Sequence, residues 1–178
     1  MTKILILLFF FGLLAWIVGS IVIWSIRNGI SPMPTSRKAK KSLLFLLPRD
    51  LKGKVYELGS GWGTLAFLLA KALTKCQIIG YELSTFPYFI SKLRQWPQRL
   101  PNLTLVRGDF FSIPLDDASL IVCYLYPGAM RRLKSKFEKE LKPGTWVISN
   151  TFAIPGWEPM RIEETGDIYR SKIYLYRV

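Results

Sequence analysis

The sequence predicts an α/β fold in which a mostly parallel sheet carries helices on both faces and ends in an antiparallel hairpin. Short runs of apolar and β-branched residues alternate with helical segments along most of the chain, and a glycine-rich turn follows the first run. An uncharged apolar run at 4–26 predicts one N-terminal transmembrane helix ahead of this fold. The chain therefore divides into an anchor at 1–27, a linker at 28–36 and a domain at 37–178.

The apolar run is long enough to cross a bilayer. Its 23 residues extend for roughly 34 Å as a helix, against a hydrocarbon core of about 30 Å. A cleaved signal peptide, whose apolar region is usually about 7–15 residues long, and a buried core helix are the alternatives. Only Lys3 is basic ahead of the run, and five basic residues follow it closely: Arg27, Arg37, Lys38, Lys40 and Lys41. The positive-inside rule then places the domain in the cytoplasm or the mitochondrial matrix.

Charge and composition narrow the classes of partner and chemistry. The 178 residues include 25 Lys and Arg, 12 Asp and Glu and no His, giving a net charge of +13. This excess favours nucleic acid, an anionic lipid surface or an acidic protein as partner, and the basic residues after the anchor either bind anionic headgroups or only set topology. Without His, a His-based zinc site or a Ser-His-Asp triad is impossible, and we predict no metal site. Cys76 and Cys123 fall in apolar stretches, which predicts buried thiols and not a redox pair.

The elements of the domain follow from apolar pattern and turn residues. Pro32 and Pro34 block a helix in the linker, and the amphipathic helix predicted at 37–47 ends before Pro48. Further helices are predicted at 64–73, 86–96 and 130–141. Strands are predicted at 54–58, 77–81, 103–107, 119–124 and 145–152, with an antiparallel pair at 159–164 and 172–176. Strands that alternate with helices at this spacing indicate βαβ units.

The turn after the first predicted strand has the composition of a ligand-binding loop. Residues 57–63 read Glu-Leu-Gly-Ser-Gly-Trp-Gly, and glycines allow a tight turn and a close approach of ligand to backbone. A dinucleotide fingerprint counted from Gly59 fails at Thr64, and one counted from Gly61 meets Ala66 but moves the turn into the helix. The Gly-Lys-Ser/Thr of a P-loop is absent. An acidic-x-Gly-x-Gly-x-Gly pattern fits at every position, with a purely structural glycine turn as the alternative.

Two later strands end next to acidic residues. Glu82 lies 19 residues after Gly63, where its carboxylate can accept two hydrogen bonds from a ribose diol. Asp109 follows the strand at 103–107 and can accept from an adenine amino group, while Leu83 or Phe110 can pack on the ring. A solvated carboxylate, for Glu82, and a turn or helix-capping acid, for Asp109, are the alternatives. Together with the glycine turn, these positions predict a nucleoside site.

With these motifs, the chain from about 55 to 159 resembles class I S-adenosylmethionine (SAM)-dependent methyltransferases. Within them it resembles the small membrane-anchored protein-lysine methyltransferases of mitochondria, which modify the ATP synthase c subunit and the adenine nucleotide translocase, and their bacterial relatives. The likeness includes the anchor, the loop at 57–63 and three further motifs: Gly80-Tyr81-Glu82-Leu83, Ser91-x-x-Arg94-x-Trp96 and Phe152-x-x-Pro155-x-Trp157-x-Pro159. It implies a Rossmann-like sheet with SAM as methyl donor. The residues expected to bind SAM are Glu57, Gly59, Ser60, Gly61, Gly63, Glu82, Leu83, Asp109 and Phe110.

The acceptor side departs from the mitochondrial enzymes. Trp62-Gly63 stands where those enzymes carry Asp-Gly, and residues 124–128, Tyr-Leu-Tyr-Pro-Gly, stand where they carry Val-Pro-Gln. Tyr124, Tyr126 and Trp157 are the candidate catalytic residues, as the aromatic wall of the acceptor pocket, with ordinary packing as the alternative. A desolvated aromatic pocket lowers the pKa of a lysine acceptor, and aromatic faces hold the methylated cation.

The sequence therefore predicts a membrane-tethered enzyme that N-methylates a lysine of a membrane protein. A methyltransferase for a lipid or other small membrane-bound molecule is the second hypothesis. The third is a non-catalytic SAM-fold scaffold or a nucleic-acid-binding module. The Asn/Asp-Pro-Pro-Tyr/Phe signature of enzymes that methylate adenine or glutamine amino groups is absent, which lowers the nucleic-acid option. The sequence gives no oligomeric state.

Overall fold

The structure is a computed structural model that describes residues 2–28, 35–167 and 170–178. The described helices are α1 (Thr2–Asn28), α2 (Arg37–Leu46), α3 (Thr64–Ala72), α4 (Thr85–Gln95) and α5 (Pro127–Glu140). The described strands are β1 (Gly53–Leu58), β2 (Cys76–Glu82), β3 (Leu103–Arg107), β4 (Ala118–Cys123), β5 (Trp146–Asn150), β6 (Arg161–Glu164) and β7 (Lys172–Arg177). Most of the predicted linker, residues 29–34, lies outside the described residues.

The seven strands form one sheet in the order β3-β2-β1-β4-β5-β7-β6. The first five strands are parallel, while β7 runs antiparallel to both β5 and β6. This confirms the predicted mostly parallel α/β fold. The carboxyl ends of β1, β2, β3 and β4 meet at one edge, and the order reverses between β1 and β4, where ligands bind in such sheets.

Several element boundaries differ from the prediction for local reasons. Helix α5 begins at Pro127 and not at residue 130, because proline is pre-organised for the first turn of a helix and its missing N–H is not needed there. Strand β5 ends at Asn150, two residues early, because Thr151 adopts a φ of +74° and leaves the extended conformation. Two short 3-10 helices, Trp96–Gln98 and Phe110–Ser112, were not predicted.

Apolar side chains cover both faces of the sheet. On one face, α2 and α3 bury Leu43 and Leu69, and on the other α5 buries Met130, Leu133 and Phe137. The helices on both faces thus agree with the predicted architecture.

The two cysteines are free and buried, as predicted. Burial raises the pKa of the Cys123 thiol to about 12. The same effect raises the pKa of Cys76. Both side chains are therefore held as neutral thiols, which are poor nucleophiles.

The N-terminal helix α1 packs against α4, where Trp16 and Phe86 meet edge to face with ring centroids 6.4 Å apart. The described large apolar side chains of α1 from Ile4 to Val18, Trp16 included, are nevertheless exposed. Among the described residues, no helix combines the length and hydropathy that a membrane crossing requires.

Candidate active site

The loop between β1 and α3 is shaped by three glycines. Gly59, Gly61 and Gly63 have φ angles of +79°, +52° and +76°, which side-chain-bearing residues rarely adopt. The N–H groups of Gly59 and Ser60 both donate to the carbonyl oxygen of Tyr81, over 2.9 and 2.8 Å. The loop is therefore bent back onto the end of the neighbouring strand β2.

The loop is packed at two of its glycines and open at the third. A Cβ atom on Gly59 would lie 2.9 Å from the Leu125 side chain, and one on Gly63 would lie 2.9 Å from the Phe67 ring. A Cβ on Gly61 would meet nothing within 4 Å. The open side at Gly61 gives a ligand access to the backbone of the loop.

Glu82, at the end of β2, holds this loop in place. Its Oε2 accepts from the N–H of Gly61 over 2.7 Å, and its Oε1 accepts from the N–H of Ser84 over 2.7 Å. An ionised carboxylate has about four acceptor positions. Two remain for the hydroxyl groups of a ribose, so the predicted role of Glu82 is compatible with its observed one. Leu83 follows it, half-buried, at the same edge.

Beneath the loop, Glu57 is buried and only partly hydrogen-bonded. Burial, followed by the negative charge of Glu82, raises the pKa of Glu57 well above its ordinary range, and a backbone hydrogen bond from Ala66 opposes this. In the described part of the chain, the Oε2 of Glu57 and the hydroxyl of Ser60 are buried without a hydrogen-bond partner. Buried polar atoms without partners are rare, and at this loop they fit a ligand that brings hydrogen-bonding groups of its own.

The third strand contributes Asp109 and Phe110 to the same edge. Arg107 pairs with Glu82 in the sheet, so the residues after β3 lie beside the residues after β2. The Oδ1 of Asp109 accepts from the N–H of Phe111 over 2.9 Å and caps the short 3-10 helix. Phe110 is buried with its ring centroid 4.6 Å from that of Phe111. Asp109 thus has the capping contact given above as the alternative, and a carboxylate can accept further bonds.

Two of the three predicted acceptor residues lie at this edge. Cys123 pairs with Leu58, so Tyr124 is level with Gly59. Tyr126 immediately precedes α5, and a Cβ on Gly128 would lie 2.5 Å from its ring. Gly128 therefore allows the half-buried Tyr126 ring to fold against the start of the helix.

Trp157 lies elsewhere. Its ring contacts Phe137 and Tyr176, with centroids 6.1 and 5.9 Å apart, and its Nε1 donates to Glu138 over 3.4 Å. Tyr176 pairs with Val147, three residues before the end of β5 and so roughly 10 Å below the carboxyl edge. The structure therefore does not bring Trp157 together with the two tyrosines.

Helix α4 contributes two residues whose roles the sequence did not reveal. Arg94 donates from Nη1 to the carbonyl of Trp62 over 2.7 Å, and its guanidinium lies 5.2 Å from the centroid of the Phe67 ring. The Cβ of the fully buried Ser91 lies 3.2 Å from the position that a Cβ would take on Gly63. The Ser91-x-x-Arg94 spacing places both on one side of the helix, from which they brace the glycine loop. The motif was visible in the sequence, but its target was not.

No sequence motif indicated a functional residue at the end of β5. Asn150 is buried, and its strand neighbour Ser149 pairs with Cys123, so Asn150 lies level with Tyr124. The left-handed Thr151 follows it. Non-glycine residues with strained backbone cluster at active sites. Asn150 precedes such a residue and is level with Tyr124, which makes it an acceptor-side candidate.

Comparisons with known proteins show which family the chain resembles. Residues 57–161 match the ANTKMT methyltransferase domain. A protein-lysine N-methyltransferase of Saccharolobus islandicus (strain REY15A) is 30% identical over 155 residues, which cover 81% of this chain and 91% of that protein. The adenine nucleotide translocase lysine N-methyltransferase of Mus musculus is 29% identical over 86% of this chain, but the match spans only 65% of its own length.

Solved structures show the same fold. An RNA methyltransferase from Salinibacter ruber, in complex with S-adenosyl-L-homocysteine, superposes with a TM-score of 0.69 at 23% identity. The match covers 82% of this chain and 94% of that chain.

Proposed function

The chain belongs to the ANTKMT methyltransferase family and is a SAM-dependent class I methyltransferase. We propose that it methylates the ε-amino group of a lysine in a membrane protein. The observation that carries the proposal is the glycine loop held by Glu82, with unpartnered polar atoms of Glu57 and Ser60 beneath it. The lysine specificity is supported by the relatives from Saccharolobus islandicus and mouse, which are both lysine N-methyltransferases. Bound SAM would supply a methyl group already activated by its positively charged sulfur.

The chain's own residues then mainly bind and orient, because an activated methyl group needs positioning more than acid-base chemistry. Glu82 offers its two remaining acceptor positions to the ribose, and Asp109 and Phe110 bound the adenine side. Burial and the charge of Glu82 favour the protonated form of Glu57 by raising its pKa. A nearby positive charge on the ligand would favour the ionised form.

Tyr124 and Tyr126 act on the acceptor. A lysine amine must lose its proton before its lone pair can attack the methyl carbon, and half-buried aromatic surroundings lower its pKa by removing water. The transfer would form a carbon–nitrogen bond on the lysine as the carbon–sulfur bond of the donor breaks, with S-adenosylhomocysteine as the leaving group. The aromatic faces then hold the resulting cation. We assign no general base.

The membrane part of the proposal rests on the N-terminal segment. Residues 4–26 carry no charge, and the described large apolar side chains of α1 are mostly exposed. A continuous apolar surface of this kind is unfavourable in water. The described residues include no helix that qualifies as a span, so the sequence, not the structure, supports a single-pass anchor with the domain on the cytoplasmic or matrix side. An anchor of this kind restricts acceptors to those near the bilayer.

One experiment tests both parts. Membranes from a strain lacking the protein are incubated with the purified full chain and SAM labelled in its methyl group, and label is followed into protein and lipid fractions. Methyl-lysine in a membrane-protein band supports the proposal, whereas label only in the lipid phase contradicts it and favours a lipid acceptor. The Glu82→Gln variant is the control for label that enters without this site. Extraction of the native membranes at alkaline pH tests the anchor, because a peripheral protein is released.

A further inference from the structure

Helix α4 exposes a row of large apolar side chains. Phe89, Leu93 and Trp96 are 61, 55 and 83% exposed. Their spacing of four and three residues places them on one side of the helix, and Trp96 continues the helical path. The opposite side, with Pro87 and Ser91, is buried against the domain. A contiguous apolar face of this kind on a folded domain marks an interaction surface.

The surroundings of this face are basic. Residues 83–108 contain four basic side chains, all exposed, and no Asp or Glu. They are Lys92, Arg94, Arg99 and Arg107. Arg94 also binds the glycine loop, whereas the other three basic side chains around the row have no described contact with that loop. The complementary partner therefore has an apolar layer bordered by negative charge.

An anionic bilayer surface meets that description better than other partners. Helices that lie in a membrane interface combine bulky apolar residues on one side with Lys and Arg at its border, and tryptophan prefers the headgroup level. A surface for stacking nucleic-acid bases uses planar rings, whereas aliphatic Leu93 occupies the centre of this row. A lysine-bearing acceptor segment would be repelled by the basic border.

We propose that the face formed by Phe89, Leu93 and Trp96 lies on an anionic phospholipid surface, as a membrane contact separate from the N-terminal anchor. The proposal deepens the proposed function and rests on it. Helix α4 starts at the edge of the sheet that carries the glycine loop and runs back along the sheet. When the exposed face of α4 lies on the bilayer, Tyr124 and Tyr126 are held at a fixed distance from the membrane surface. Lysines next to the lipid headgroups are then favoured as acceptors.

The test places an environment-sensitive fluorophore at Trp96→Cys of the full chain in liposomes with and without phosphatidylglycerol. Cys76 and Cys123 are buried, so the labelled wild-type chain serves as background. The matched control carries the label at Lys139→Cys, an exposed site on α5 across the sheet. We expect a blue shift and quenching by lipids with a nitroxide near the headgroup for Trp96→Cys only, stronger with the anionic lipid. Equal, water-like emission from both labels would overturn the proposal, as would a shift that needs added RNA or a soluble lysine peptide.

A second variant separates this inference from the proposed function. The triple variant Phe89→Ser, Leu93→Ser and Trp96→Ser removes the apolar face but none of the expected SAM-binding residues, so its affinity for SAM should be unchanged. The rate of methyl transfer to membrane proteins should fall roughly tenfold or more. The burial of even one such side chain in the bilayer strengthens membrane binding by about a factor of ten. If the wild-type chain makes methyl-lysine and the triple variant is equally active on membranes, the membrane face is wrong and the function stands. If the wild-type chain makes none, the function fails whatever the label reports.

Discussion

The carboxylate of Glu82 accepts a hydrogen bond from the backbone N–H of Gly61 over 2.7 Å. The end of β2 thereby fixes the shape of the loop that follows β1 before any ligand is bound. Since Gly61 is also the open point of the loop, the same carboxylate lies beside the space that a nucleoside would enter. Pre-organisation of this kind lowers the entropic penalty of binding.

Glu82→Gln should weaken SAM binding by roughly 10- to 100-fold, since hydrogen bonds to a charged group contribute about 1.5–3 kcal/mol. The amide keeps the shape of the side chain but loses the charge and one acceptor oxygen. Calorimetric titration with SAM and with its demethylated product measures the effect, and circular dichroism checks the fold. Glu164→Gln on β6, an exposed acid at the other end of the sheet, is the matched control. Equal affinity in the wild type and Glu82→Gln would remove Glu82 from the site.

Glu57→Gln should separate stability from binding. The folded state raises the pKa of Glu57 above its reference value of 4.5, chiefly through burial. The folded chain therefore holds this proton more tightly than the unfolded chain, and stability is lost as pH rises above the unfolded pKa. The neutral glutamine lacks this loss, so the free variant should melt a few degrees higher than wild type at neutral pH, where about 1 kcal/mol corresponds to about 2–4 °C.

The two proteins should converge in melting temperature as the pH falls below 4.5, because Glu57 then becomes protonated in the unfolded state as well. SAM affinity should fall in the variant, because the ionisable group facing the ligand is gone. Thermal melts across pH, with and without SAM, check both statements. A variant that melts lower than wild type at neutral pH would show that Glu57 is stabilising in the free protein.

Local features of this site were predictable from sequence because they are read along the chain. The glycine spacing at 57–63 and the acid 19 residues after Gly63 belong to one βαβ unit, so the sequence could place Glu82 beside the loop, where it contacts Gly61. The position of β7 between β5 and β6 depends on long-range pairing, which no local pattern specifies. Arg94 was visible as part of a motif, but its bond to Trp62 exists only once α4 is docked. Trp157 was grouped with Tyr124 and Tyr126 by chemical type, whereas its height along the sheet is set by the loop after β5.

Tyr126→Ala should lower kcat/KM for the lysine acceptor by at least about tenfold, as lost aromatic contact with a cation is worth roughly 0.5–2 kcal/mol and desolvation adds to it. SAM affinity should stay within about twofold, because Tyr126 lies on the acceptor side of the edge. Tyr124→Ala should behave in the same way. Trp157→Phe is the control: its ring packs on Phe137 and Tyr176, so it should lower the melting temperature without changing the KM of the acceptor. Methyl transfer measured at varied acceptor and saturating SAM distinguishes these outcomes.

Arg94→Ala should raise the KM for SAM by roughly three- to tenfold, the effect of a partly exposed hydrogen bond worth about 0.7–1.4 kcal/mol. Arg94 binds the carbonyl of Trp62 and lies over Phe67, so it positions the glycine loop but touches no reacting atom. The kcat at saturating SAM should therefore hold. Arg94→Lys should recover part of the affinity, since a lysine can reach the carbonyl but cannot reproduce the planar contact with the ring. Arg99→Ala, which removes an exposed charge from the same region, controls for simple electrostatics. If both alanine variants raise the KM equally, or if kcat falls with the KM unchanged, Arg94 does not act by holding the loop.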